Sequence, residues 1–555
     1  MDFKRITLIG ALALISYVLI IKWNQEYGQP ENQAPVASVS AYEEQSTGGD
    51  LPNAATVSET ADVPSTDEPQ AVADAPASAK LIKVITPTQD VVIDTRGGDI
   101  IEVALPEHKA SLNSEQPFVL MEQTQNRTYV AQSGLTGPQG PDNAQGRATY
   151  SADADTYTLK EGDDSLVVNL TTTLESGIEV TKRFTFSEGS HTIAVDYVIN
   201  NPTDADYTAN LFGQIKRDRS ADPNGSPDMG MQSYLGPVFS TTENNYRKYT
   251  FDDIDEDGNF KETSQDGWVA MNQHYFASAW IPAPGAEYTY SSRKANGNYI
   301  IGFMSPKLTV PAGESSTVGA RFFAGPKDIE EMEQVAPNLD LAIDFGWLWW
   351  IASPLYEILK FLHSFLGNWG LAIIGITLLV KAVLFPLNAK AFKSMAKMRK
   401  FGPELQRLKE LYGDDRQKMS QAMMQLYQKE KINPLGGCLP ILVQMPIFIA
   451  LYWVLAESVE LRHAEFLYLS DLSAKDPYFI LPILMGASMF IQQMLNPTPP
   501  DPMQAKVMKM LPILFTFFFL WFPAGLTLYW VVNNILSIAQ QYVINKQIEA
   551  GDKSS

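Results

Sequence analysis

Twenty consecutive residues from Asn368 to Leu387, NWGLAIIGITLLVKAVLFPL, limit what this chain can become more than any other stretch. An apolar run of that length matches the hydrocarbon core of a bilayer. It holds a single cation, Lys381. An ionisable group inside hydrocarbon costs from about 2.5 to more than 10 kcal/mol, so such groups usually face a wet cavity or a partner. Snorkelling is the plainer account. A rise of about 1.5 Å per residue puts the Lys381 backbone roughly 20 Å below Asn368 and roughly 10 Å from the far surface, which a lysine stem largely covers. That accounts for one lysine, but not for the polar residues in the other apolar runs.

The rest of the chain falls into two unlike halves. Its 555 residues carry a formal charge of −21, most of it before residue 341. A phosphate-binding surface needs clustered Lys and Arg, so nucleic acid is a poor partner for the acidic half. The single cysteine, Cys438, allows no internal disulfide and lacks the neighbours of a metal site or catalytic thiol. In residues 1–23, Lys4 and Arg5 precede the apolar run Ile6 to Ile21, and no small-residue cleavage site closes it. A retained signal anchor with a cytoplasmic N-terminus is expected. Residues 24–79 are rich in Ala, Pro, Ser, Thr, Asp and Glu and poor in aromatics, the composition of a disordered linker.

From 80 to 326, short alternating runs such as SLVVNLTTTL, HTIAVDYVINN and YIIGFMSPKLTVPAG are separated by Gly, Pro, Asn and Asp. This texture predicts a large all-β domain of sandwich type. His108, His191 and His274 stand far apart, without a nucleophile or metal-ligand motif, so structural or surface roles are expected. The acidic stretch Asp252 to Glu262 lacks the spacing of a calcium loop and reads as a solvated hairpin tip. Residues 327–367 form a connector. A short helix occupies Lys327 to Val335, and an interfacial helix follows over Ile343 to Leu366, its tryptophans suited to the headgroup layer.

After the lysine-bearing span 368–387, residues 388–432 hold eleven Lys and Arg against five Asp and Glu, which the positive-inside rule assigns to the cytoplasm. Leu405, Leu408 and Tyr412, then Met419, Met423 and Leu426, recur at helical spacing on either side of Gly413, Asp414 and Asp415. That pattern is a basic helical hairpin. Two readings stay open for it: a solvated loop that only fixes topology, or a docking arm for anionic lipid, ribosomal RNA or nascent chains. As a docking arm it would present Lys390, Lys393, Lys397, Arg399, Lys400 and Arg407. Further spans are predicted at 433–457, 477–495, 503–522 and 525–545, the last two joined as a tight hairpin by Pro523 and Ala524. Alternation from a cytoplasmic Met1 puts the acidic loop 458–476 outside, and the loop 496–502 and the tail 546–555 inside. The predicted fold is a polytopic α-helical membrane protein of six spans with a five-helix core, carrying a large all-β domain on the outer side.

Polar groups recur at depth: Thr377 and Lys381, Gln444, Ser488 with Gln492, and Asn533 with Asn534. Each alone is ordinary interhelical hydrogen-bond glue, but around a central cation a shared hydrated cavity is the better account. Five spans are few for alternating access and no inverted repeat relates them, which counts against a transporter. No Walker motif, metal cluster or nucleophile–base pair is evident, so no catalytic residue, no metal and no small-molecule cofactor is expected.

NPLGGCLPILVQMPIFIALYWVL (Asn433 to Leu455), DPYFILPILMGASMF (Asp476 to Phe490) and FFLWFPAGLTLYWVVNN (Phe518 to Asn534) resemble the YidC/Oxa/Alb family of membrane protein insertases, in its Gram-negative arrangement. The resemblance implies a galactose-mutarotase-like supersandwich in the periplasm and an inner-membrane location. It implies five spans around a hydrophilic groove, which Thr377, Lys381, Gln444, Tyr529, Trp530 and Asn534 line or flank, with Ser488 among its polar residues. Lys381 would draw in the polar flank of a substrate whose apolar segment then leaves sideways into lipid. Implied partners are nascent membrane proteins, Sec translocon components, the ribosome and the phospholipid bilayer. The family generally carries arginine where this chain has Lys381. Arginine stays charged with a planar fork, whereas a desolvated lysine can lose its proton; Lys381 is expected to keep its charge because the groove is wet. The alternatives are a small-solute transporter using Lys381 as an anion site, and a tethered periplasmic enzyme, for which no paired acid and base is evident in 80–326.

Overall fold

The computed structural model describes residues 80–142, 146–160, 162–223, 233–412, 415–429, 439–496 and 502–553. The expected anchor 1–23, the linker 24–79, the first residues of the predicted span 433–457 with Cys438, and most of the loop 496–502 lie outside the described residues.

Between Leu81 and Pro326 the chain forms two sheets, of eleven and nine strands. Strands Glu179–Ser187 and Thr192–Asn200 alternate strictly between buried and less buried residues, so every second side chain enters the interior. Val180, Phe184, Ile193, Val195 and Tyr197 meet Ile82, Val91, Leu105 and Leu135 in one apolar core. Lys182 is also turned inward. Its Nζ donates to the carbonyls of Gly98 at 2.8 Å, Gly97 at 3.0 Å and Ser133 at 3.1 Å, so a strand of the smaller sheet is stapled to the larger one. Burial pushes this ammonium down to about 7.

The acidic run after Tyr249 is not a hairpin tip. Phe251–Glu256 is a helix, α1, with a reciprocal capping box between Thr250 and Asp253. Phe251 and Ile254, three residues apart, are buried beneath it. Two apolar residues within a run of acids were too faint a periodic signal.

The following helices are α2 (Ile329–Val335), α3 (Trp349–Leu366), α4 (Trp369–Val383), α5 (Phe385–Lys400), α6 (Gly402–Tyr412), α7 (Arg416–Lys429), α8 (Leu439–Glu457), α9 (Ile480–Leu495), α10 (Pro502–Phe519) and α11 (Ala524–Lys553). The apolar run 368–387 is therefore not one straight helix: α4 and α5 meet at 66°. Pro386 is the physical reason, since it donates no hydrogen bond and its ring crowds the carbonyl four residues back. Among the described residues no single helix is long and apolar enough to cross a membrane, while the bent pair α4 and α5 passes that test jointly. The link between α10 and α11 also differs from expectation. It takes the four residues Leu520 to Pro523, and Ala524 N–H donates to the Ala474 carbonyl at 2.7 Å.

The β domain is seated on the helices. Lys327, one residue past the last strand, pairs with Glu457 at the end of α8 at 2.9 Å, both side chains 1% exposed. His191 donates from its backbone to Glu331 of α2 at 2.8 Å, and its ring Nδ1 lies 2.8 Å from the same carboxylate. His274 Nε2 lies 2.8 Å from the Ala456 carbonyl. Val238, Trp268 and Phe323 share an apolar cluster with Leu348, Leu451 and Leu455. Helix α3 buries Ala352, Leu355, Tyr356 and Leu359 and exposes Trp349, Trp350, Phe361 and Phe365.

Candidate functional site

Helix α11 gathers the polar residues. Along it Trp530, Asn533 with Asn534, Ser537 and Gln541 recur every three or four positions and so share one side of the helix. The hydrogen-bonded members reach three other helices, α4, α8 and α9. Lys381 of α4 donates from Nζ to Ser537 Oγ at 2.7 Å. Gln444 of α8 donates to Asn533 Oδ1 at 2.5 Å, and Asn534 donates to Ser488 Oγ of α9 at 3.0 Å. Gln541 donates to Asn496 Oδ1 at 3.0 Å, just past the end of α9.

Local sequence explains how α4 presents the lysine. Asn368 caps the helix by accepting from Leu371 N–H at 3.1 Å, and thirteen residues later Lys381 falls in the last turn, where a cation suits the helix dipole. Its side chain turns inward, leaving the residue 8% exposed. Ser537 Oγ in turn donates to the Asn533 carbonyl at 2.8 Å. A continuous polar thread therefore runs Lys381, Ser537, Asn533, Gln444, and ties α4, α11 and α8 together.

The remaining expected groove residues are placed less evenly. Thr377 is buried one turn before Lys381, but its hydroxyl donates to the Ile373 carbonyl of its own helix at 2.6 Å. Tyr529 is buried with its hydroxyl beside Gln444 and without a completed hydrogen bond, and the Trp530 indole N–H is likewise buried and unpaired. Trp530 meets Phe448 edge-on at 4.5 Å and lies 5.4 Å from Phe519. Three polar residues were missed by sequence reasoning. Ser537 and Gln541 are both buried, and Asn388 of α5 is buried with its amide nitrogen unpaired. Their only sequence signal was spacing: Ser537 and Gln541 fall four and eight residues after Asn533.

The basic stretch divides differently from expectation. Lys390, Lys393, Arg399 and Lys400 are exposed on α5, and only Arg407 lies on the hairpin proper, formed by α6 and α7. Lys397 belongs to α5, with its side chain outside the described ones. Gly402 and Pro403 are the cause, because they end α5 before the hairpin begins. Asp415 starts α7 as expected, accepting from Lys418 N–H at 3.1 Å.

Comparison with known proteins follows this division. Residues 81–358 match the model of the YidC periplasmic domain, and residues 361–552 match that of the 60Kd inner membrane protein family. The membrane protein insertase YidC of Stutzerimonas stutzeri (strain A1501) is 52% identical over 559 residues, covering 100% of both chains. That of Hahella chejuensis (strain KCTC 2396) is 51% identical over 564 residues, covering 99% of this chain and 98% of its own. A crystal structure of active YidC insertase with the first transmembrane domain resolved is 20% identical, with a TM-score of 0.38 over 83% of this chain and 92% of that one. On end-to-end identity of about one half and two family models matched in order, the chain belongs to the YidC family of membrane protein insertases.

Proposed function

We propose that the chain inserts membrane proteins along the polar face of α11, spanning the inner membrane six times around a five-helix core, with both termini cytoplasmic and the β domain periplasmic. The observation that carries this reading is the inward-turned Lys381 ammonium, hydrogen-bonded to α11 and leading to Gln444 through Ser537 and Asn533. The exposed Ile483, Leu484, Ile513 and Leu514 on α9 and α10 support it, since an apolar band of this kind suits lipid.

The polar thread lowers the barrier for the one part of a substrate that lipid refuses. Burying about twenty Leu-like residues yields roughly 10 kcal/mol at about 0.5 kcal/mol each, whereas one Asp carried to the bilayer centre costs roughly 3 kcal/mol. Insertion therefore needs no nucleotide once the polar flank is helped across. Lys381 offers that flank a positive charge, and the apolar segment leaves into lipid. The exposed basic residues of α5 and α6 face incoming nascent chains and anionic lipid, with ribosome and Sec translocon components as the partners that deliver substrate.

The test is site-directed crosslinking from positions 377, 381, 444 and 530 to a stalled nascent membrane protein. Adducts to the substrate's polar flank are expected. Lys381→Arg should preserve insertion and Lys381→Glu should abolish it for substrates with acidic flanks; equal insertion by Lys381→Glu refutes the electrostatic role.

A further inference from the structure

We propose that Ser537 is the positioning residue of the Lys381 charge and sets the preference of the site for acidic over neutral flanks; this rests on the insertase reading above. A lysine ammonium sits on a flexible four-carbon stem with three rotatable donors, so without an acceptor it has no preferred aim. Ser537 Oγ supplies that acceptor at 2.7 Å. The hydroxyl is itself held, because it donates to the Asn533 carbonyl one turn back at 2.8 Å, while the Asn533 side chain is held by Gln444 at 2.5 Å. The charge is borne by α4, but the acceptor that aims it stands on α11.

A hydroxyl suits this task in two ways. It is neutral, so it aims the ammonium without cancelling it, as an aspartate at the same place would. It is also the weaker acceptor, since a carboxylate adds the attraction of a full opposite charge to the hydrogen bond. A carboxylate on a passing segment therefore gains more from the ammonium's other donors than an amide does, while Ser537 keeps the group aimed. Burial of both residues, with Lys381 8% and Ser537 4% exposed, keeps that difference from being levelled by bulk water.

The experiment uses the full chain in proteoliposomes with two substrates identical except for an Asp or an Asn flank. Ser537→Ala leaves the ammonium without a fixed aim and should lower insertion of the Asp substrate about tenfold more than that of the Asn substrate. Ser537→Thr, which keeps the hydroxyl, should restore the acid preference, and Ser537→Asp should erase it. In a Lys381→Met background Ser537→Ala should cause no further loss. Equal loss for both substrates, no loss at all, or a further loss in the Lys381→Met background overturns the proposal. Lys381→Met inserting the Asp substrate normally overturns the insertase reading of the site instead. Should Ser537→Ala fail to accumulate, Ser537→Cys keeps the volume with a weaker acceptor, and acid-selective loss supports the proposal where uniform loss overturns it.

Discussion

Replacing Glu457 by Gln tests whether the β domain is fastened to the helices by a buried charge. Its carboxylate accepts from Lys327 Nζ at 2.9 Å and from Ser233 Oγ at 3.1 Å, and both charged side chains are 1% exposed. At an effective dielectric of about 20, two unit charges at that distance attract by about 6 kcal/mol. Removing two ions from water costs several kcal/mol each, so the intact pair adds little net stability. The helix dipole is no help, since it disfavours a carboxylate at the end of α8. Truncating one partner is another matter, because the ion left behind is buried and uncompensated, at a cost of about 3–5 kcal/mol. Glu457→Gln and Lys327→Met should each raise the opening equilibrium of the junction by roughly a hundredfold or more, and the double variant should recover most of the loss. Limited proteolysis of the solubilised full chain, scored at the connector after Lys327, reads this directly. Single variants as resistant as the parent, or a double variant as labile as either single, would refute the reasoning and leave the apolar cluster of Val238, Trp268, Leu451 and Leu455 as the fastening.

Three further outcomes are expected. His108 is pushed down to about 4, chiefly by burial, with His191 and Arg462 adding to it. The unfolded chain binds that proton near pH 6.5 and the folded chain does not, so stability should fall by up to about 3 kcal/mol as pH drops from 6.5 to 4. His108→Leu should flatten the acid limb of the denaturation midpoint, and an unchanged slope assigns the effect elsewhere. In α9, a Cβ at Gly486 would overlap the Thr516 hydroxyl of α10. Gly486→Val should therefore cost about 1–3 kcal/mol in detergent thermostability, with Thr516→Ala relieving part of it; a neutral result shows that the helices separate freely. Pro386→Ala returns a backbone donor at the α4–α5 bend, so spin labels at positions 378 and 393 should move apart. An unchanged distance gives the bend to tertiary contacts such as Gln540 with the Phe385 carbonyl.

Much of the architecture was legible locally. Alternation marked strands such as Glu179–Ser187 and Thr192–Asn200, the spacing of Leu405, Leu408 and Tyr412 marked α6, and Asp415 marked the start of α7. Composition separated the acidic β domain from the apolar helices, and one lysine among apolar neighbours pointed to the site. Other features stayed hidden because their signals were weak or contradictory. Phe251 and Ile254 are two apolar residues in an acidic run, and Pro386 lies inside a run that reads as continuous. Which polar groups meet was decided only in the folded molecule. Thr377 and Ser537 look alike as hydroxyls in apolar segments, yet Thr377 bonds only within its own helix while Ser537 takes the lysine from a position 156 residues away. A periodic pattern records which face of a helix is polar, since that depends on neighbours within a turn. Which partner faces that side depends on how helices far apart in the chain pack and on the angle at which a proline turns one of them.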